Sequence, residues 1–273
     1  MTLHSRNECR VFTDDDRQRR RTMNDVLRII RSRHSTRGAF DLSRPVPQAV
    51  QALIFEGAQW APTPTNMQNF QILVVDAKKQ LDAIGRVPAD MSEPFLRETY
   101  AQLSFSEKEL VEKRTGMLAK SFPTAWTNPE AWNPESEYRS QLTFLERAIG
   151  DTPLMMIVLY DGTKRAPGSE DDSVGLIGLG CVLENMWLVC ESQQLGLHVL
   201  TVVGDGPVEQ KLKEILHVPD CMKIAFACSI GYATDPAACY TRVRREVKDF
   251  VHYNDFDSKR SSESVEEPSL ATR

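Results

Sequence analysis

Residues 173–194 form one long helix-forming run that is apolar on most of its faces. A helix of that kind belongs inside, covered on most sides, so the rest of the chain has to fold around it. Four short β-rich runs offer strands for that purpose, at residues 70–75, 154–160, 198–203 and 224–230. Shorter helices are predicted at 23–33, from Pro47 onward, and at 208–217. In the first, Met23, Val26, Leu27 and Ile30 keep helical spacing, and Thr22 with Asp25 fits a capping box in which Asp replaces Glu or Gln. In the second, proline suits the first turn, and Val50, Leu53, Ile54, Ala58 and Ala61 are the expected buried face. Gly196 is the expected left-handed cap of the long helix, and Pro167-Gly168 marks a turn in the polar loop before it.

The chain has 273 residues, enough to bury a sizeable core. Residues 1–21 read as a flexible arm, in which Asp14, Asp15 and Asp16 offset Arg17, Arg19, Arg20 and Arg21. Residues 258–273 are rich in Ser and Glu and read as a disordered tail. One domain is expected between them, over 22–257. Within it, residues 86–150 form a variable insertion, with an amphipathic helix expected at 107–120, a proline-broken stretch at 121–135 and a helix at 138–149. Phe122, Trp126, Trp132 and Tyr138 make this insertion a candidate lid over a planar ligand.

A net charge of −5 gives no reason to expect nucleic acid as a partner. No apolar run approaches the length needed to span a bilayer, and the N-terminus has no signal-peptide core. The six cysteines (Cys9, Cys181, Cys190, Cys221, Cys228 and Cys239) include no C-x-x-C pair, which argues against a zinc site. Several sit in apolar segments as small hydrophobes. A reducing cytoplasm is the expected location.

Three segments carry chemistry. Arg33-His34-Ser35-Thr36-Arg37 follows a helix and places two guanidiniums, an imidazole and two hydroxyls over five residues, a set suited to a phosphate or to a helix end favoured by the macrodipole. Ala61-Pro62-Thr63-Pro64-Thr65-Asn66-Met67-Gln68-Asn69-Phe70 joins a helix to a strand. Its prolines stiffen the turn, and Asn66 and Gln68 offer both donors and acceptors to the edge of a heterocycle; self-capping Asn and Thr would also explain an ordinary turn. Arg242, Arg244 and Arg245 follow the last strand, either as a solvated basic segment or closing on the same phosphate. Gly175, Gly178 and Gly180 spell G-x-x-G-x-G, the reverse of a dinucleotide fingerprint, and read as close helix packing. Asn185-Met186-Trp187 reads as core.

The order of these segments, from about residue 24 to residue 255, resembles the nitroreductase family. Arg33-His34-Ser35-Thr36 is similar to that family's phosphate-binding start. Pro62-Thr63-Pro64-Thr65-Asn66-Met67-Gln68 is similar to its Pro-Ser-x-x-Asn-x-Gln turn, and Ile230-Gly231-Tyr232 and Val251-His252-Tyr253-Asn254 to its closing strand and tail. The resemblance implies an α+β fold with a central mixed, mainly antiparallel β-sheet flanked by helices, in an intertwined homodimer with FMN at the subunit interface. It implies that Arg33, His34, Ser35, Arg37 and Arg244 hold the FMN phosphate within one subunit. Pro62, Thr63, Pro64, Asn66 and Gln68 would then approach the flavin from the other, and the backbone of Val202-Val203-Gly204 would face its ring. Thr63, Asn69-Phe70 and Val202-Val203-Gly204-Asp205 depart from the family's usual residues at the substrate face.

The activity implied is that of an FMN-dependent oxidoreductase. It would pass reducing equivalents from NADH or NADPH to a small aromatic or conjugated acceptor in a ping-pong cycle, with no dedicated catalytic side chain and no metal. The same scaffold also implies alternatives: substrate dehydrogenation, dehalogenation, flavin breakdown, or a flavin-binding module without turnover.

Overall fold

The computed structural model describes residues 25–37, 39–88, 97–122, 124–128, 152–204, 206–234 and 242–256. These fall into two compact units. The first draws on Met1–Met91 and Pro134–Cys239, the second on Ser92–Asn133 and Tyr240–Arg273. The arm at 1–21, the tail at 258–273, the helix expected at 138–149, Trp132, Tyr138, Cys9, Cys239 and Thr22 lie outside the described residues.

The first unit runs α1 (Asp25–Ser32), α2 (Gln48–Gln59), β1 (Phe70–Val75), α3 (Lys78–Gly85), β2 (Leu154–Asp161), α4 (Ser173–Ser192), β3 (Gly196–Leu200), α5 (Gly206–Leu216) and β4 (Met222–Gly231). The strands form one sheet in the order β1-β2-β4-β3. Every neighbouring pair is antiparallel, with Phe70 opposite Tyr160, Leu154 opposite Ile230 and Gly196 opposite Gly231. Among the described residues, a parallel element enters this sheet at the bridge between Ser35 and Leu197 on the outer edge of β3. The expected α+β sheet flanked by helices is therefore present.

β2 is buried along Leu154–Leu159, as a strand at the centre of a covered sheet should be. Its residues alternate between faces. Met156 and Val158 join Cys228, Ile230 and Leu197 in one cluster with Ile54 and Ala58 of α2 and Leu179, Val182, Met186 and Cys190 of α4. Met155 and Ile157 point to the opposite face. α3 and α5 pack on one another and bury Leu81, Ile84, Val208 and Leu212 outside that cluster.

Several expectations need correction. Leu53 is exposed rather than buried, because α2 turns Ile54 and Ala58 toward α4. The helix expected over 107–120 stops at Lys113: Arg114 takes a left-handed cap and Gly116 has φ +88°, so the chain turns into a short extended piece at Met117–Leu118. Gly196 is not the left-handed cap. Gln194 takes that conformation (φ 59°), and Gly196 opens β3.

The long helix α4 is itself less enclosed than expected. Gly178, Leu179, Val182, Met186 and Cys190 are buried, while Val174, Leu176 and Ile177 are exposed. By length and composition it could cross a membrane, contrary to the sequence expectation, although its buried stripe docks on α2 and the sheet.

The second unit contains Ser104–Phe105 paired in parallel with Met117–Leu118, and the helix Glu107–Lys113. Ser106 caps that helix through a reciprocal box with Glu109. Arg114 bonds Glu246, which also takes Lys248 at 2.7 Å. His252 stacks on Phe256 at 4.3 Å.

Candidate functional site

Residues 33–37 leave α1 and run along the open edge of β3. The Thr36 amide donates to the Leu197 carbonyl at 3.0 Å, so the segment is pinned to the sheet. Thr36 is buried, and its side chain presses on Gly196: a Cβ there would lie 2.6 Å from Thr36 Oγ1. Glycine at 196 is thus set by close approach and not by a cap. With Thr36 facing inward, alternation turns Ser35 and Arg37 the other way. Arg37 is exposed and Ser35 half-buried.

Arg33 is held from α4. Its guanidinium carbon lies 4.3 Å from the centre of the Trp187 ring, a cation–π contact, and its Nε lies 3.4 Å from Glu184 Oε1, an ion pair without hydrogen-bond alignment. The Trp187 indole N–H donates to the His34 carbonyl at 3.2 Å. His34 Nδ1 is 3.3 Å from the Ser32 carbonyl, a contact that calls for the Nδ1–H tautomer. On β3, His198 is pushed down to about 4, first by burial and then by the charge of Arg37. It is neutral at pH 7 and adds no charge of its own beside that arginine.

The proline turn is built separately. Thr63 Oγ1 accepts the Gln68 amide at 3.2 Å, and Gln68 Nε2 donates to Asn66 Oδ1 at 2.8 Å. Thr65, Asn66 and Gln68 all have positive φ, at 47°, 56° and 42°. Three left-handed non-glycine residues within four positions store strain of about 1–3 kcal/mol each, a feature that clusters at ligand sites. The amides of Asn66 and Gln68 are exposed. Gly178 of α4 seats the turn from beneath: a Cβ there would lie 2.9 Å from Pro64 Cδ.

Both motifs therefore rest on α4, the turn at Gly178 and the arginine segment at Glu184 and Trp187. Nine residues of helix separate their seats, roughly 13 Å. Val202–Gly204 follow β3 as a turn of 3-10 helix, with the Val203 side chain buried and the Gly204 amide donating to Thr201. Arg242 and Arg244 belong to the second unit, where Arg244 Nη1 donates to the Val243 carbonyl at 2.7 Å. In that unit Phe122 packs against Tyr100, with ring centres 5.2 Å apart.

Glu184, Trp187 and His198 were not singled out by the sequence as site residues. Of Asn185-Met186-Trp187, only Met186 is fully buried. Asn185 Nδ2 donates to the Gly57 carbonyl on α2, and Trp187 reaches Arg33. The available signal was the i, i+3 spacing of an acid and an indole on one helix face. Among the described residues no group of His, Cys, Asp and Glu could hold a metal ion.

The nitroreductase family model matches residues 30–232, a span that takes in the arginine segment, the proline turn and the whole sheet. The chain belongs to the nitroreductase family. A search of curated proteins finds no match. Among solved structures, the fold is similar to iodotyrosine deiodinase bound to FMN and 3-iodo-L-tyrosine. That likeness has 22% identity and TM-score 0.55, over 85% of this chain and 100% of that one. It is also similar to an FMN-bound nitroreductase of Bacteroides fragilis, at 18% identity and TM-score 0.53, over 85% and 100%. An FMN-dependent nitroreductase of Clostridium difficile matches at 16% identity and TM-score 0.53, over 84% and 98%. At these identities the likeness speaks for the fold.

Proposed function

We propose that this chain binds FMN and works as an oxidoreductase that takes electrons from NADH or NADPH and passes them to a small aromatic or conjugated acceptor. The observation that carries this reading is the arginine segment. It is pinned to the edge of β3 with Thr36 buried, Ser35 half-buried and Arg37 exposed, beside a histidine kept neutral. That donor set fits a phosphate monoester: guanidiniums give charge and paired donors, and serine adds a short donor. The strained turn, with the amides of Asn66 and Gln68 exposed, fits the polar edge of a flavin ring.

FMN, when bound, would supply the hydride and electron chemistry. The protein's part is binding and orientation. Arg33, His34, Ser35 and Arg37 would hold the phosphate. Pro62, Thr63, Pro64, Asn66 and Gln68 would approach the ring, as would the backbone of Val202-Val203-Gly204. No side chain is assigned a proton-transfer role, since solvent can supply protons. Donor and acceptor would use one open face in turn, the basis of a ping-pong cycle.

The proposed assembly is a homodimer. Its support is the apolar surface that the first unit leaves uncovered: Val174, Leu176 and Ile177 on α4, and Val26, Leu27 and Ile30 on α1. A second reading, reductive dehalogenation of an aromatic substrate, draws support from the fold shared with iodotyrosine deiodinase.

The test is an absorbance spectrum of the purified protein, then anaerobic addition of NADH or NADPH. Flavin bands that bleach, followed by parallel lines in initial-rate plots with a nitroaromatic or quinone acceptor, are expected. Halide release from a haloaromatic substrate under dithionite, without turnover of those acceptors, would favour the second reading. Absence of flavin after reconstitution with excess FMN would overturn both.

A further inference from the structure

We infer that Trp187 is a positioning residue for the phosphate clamp, fixing Arg33 and the His34 backbone in their binding arrangement before any ligand arrives. The inference rests on the proposed FMN site and adds to it a residue on a different element. Arginine has a long, mobile side chain, and much of the cost of using it lies in ordering it. Here that ordering is done by α4. The guanidinium lies 4.3 Å from the centre of the indole ring, and Glu184 Oε1 sits 3.4 Å from Nε as a counter-charge.

The same indole acts a second time. Its N–H donates to the His34 carbonyl at 3.2 Å, and His34 is the residue between Arg33 and Ser35. The peptide that sets the direction of Ser35 is therefore tied to the ring that carries Arg33. Two residues on, the Thr36 amide is tied to β3. The clamp thus has two anchors, one on α4 and one on the sheet. Tryptophan suits the first because it combines the strongest cation-binding face with a donor at its edge. Its neighbour Met186 is fully buried in the core, so the helix position from which the ring projects is rigid.

A clamp residue that acts through phosphate should affect FMN and leave riboflavin, which has the same ring and no phosphate, unaffected. The experiment titrates apoprotein with FMN and with riboflavin by fluorescence quenching, for wild type, Trp187→Leu and Trp187→Phe, with melting curves alongside. Wild type is expected to prefer FMN strongly. Trp187→Leu removes ring and donor, and should cut that preference about tenfold while riboflavin affinity stays level. Trp187→Phe keeps a ring face and loses the donor, and should cut it about threefold.

Equal weakening of both flavins would show that Trp187 only supports the fold, and an unchanged preference would show that the clamp needs no such anchor. Either result overturns the inference while leaving the FMN site standing. A wild type that binds both flavins alike overturns the phosphate reading itself, and this inference with it. Should Trp187→Leu fail to fold, the threefold change in Trp187→Phe decides the matter alone.

Discussion

His198 is a base kept uncharged by its surroundings, and that has a measurable price in acid. Burial is the larger cause and Arg37 the second, and together they bring it to about 4 from an ordinary 6.5. The unfolded chain therefore binds a proton below about pH 6.5 that the folded chain refuses until about pH 4. Stability falls as pH drops through that window, by up to about 3 kcal/mol at its lower end. Urea unfolding at pH 7 and pH 5 should show the loss, and His198→Gln should remove most of it; an unaltered pH slope in that variant would place the effect elsewhere. A second test concerns strain. Thr65 is β-branched, exposed and left-handed, and its hydroxyl donates to the adjacent Pro64 carbonyl. Thr65→Gly should raise stability by about 1 kcal/mol. If FMN affinity falls at the same time, the strain is serving the site.

At the scale of elements, α4 decides most of the arrangement, and its three glycines separate by position. Gly178 meets the stiff ring of Pro64, so Gly178→Ala should shift the proline turn and lower stability. Gly180 has open space around its Cβ position within the chain. Gly180→Ala should add helix stability of up to about 1 kcal/mol, unless a partner subunit packs there; paired melting curves compare the two. β1, β2, β4 and the start of α2 were legible because the strands carry continuous β-rich runs and Pro47 marks a helix start, whereas the strand expected at 198–203 ends at Leu200 and Val202–Gly204 turn as 3-10 helix. The motifs at 33–37 and 61–70 were legible as donor sets. What the sequence could not convey were facts of contact. Leu53 fits the helical stripe as well as Ile54, and only packing against α4 separates them. Gly196 looked like a cap because nothing local announces Thr36 pressing on it. The end of the helix at Lys113 depends on left-handed backbone at Arg114 and Gly116. Trp187 packs against the core as expected, but its contacts with Arg33 and His34 were not legible because they lie over 150 residues away.

For the whole molecule, the geometry of α4 bears on how many chains build one site. The arginine segment and the proline turn sit on the same helix with roughly 13 Å between their seats, and each would serve a flavin from its own side. In the proposed homodimer the turn of one subunit completes the site whose phosphate is held by the other, so each site draws on two chains. This can be checked by complementation. One variant carries Arg37→Glu, which sets a negative charge against the phosphate; the other carries Asn66→Ala with Gln68→Ala, which strips the turn of its amides. Each alone should retain little FMN. Mixed and refolded in equal amounts, half of the dimers pair one variant with the other. Each mixed dimer then has one site with both halves altered and one with both halves intact. Bound FMN should recover to about a quarter of the wild-type content, read from absorbance per chain after desalting. If the segment and the turn served the same flavin within one chain, every site would keep one altered half, and mixing would restore nothing.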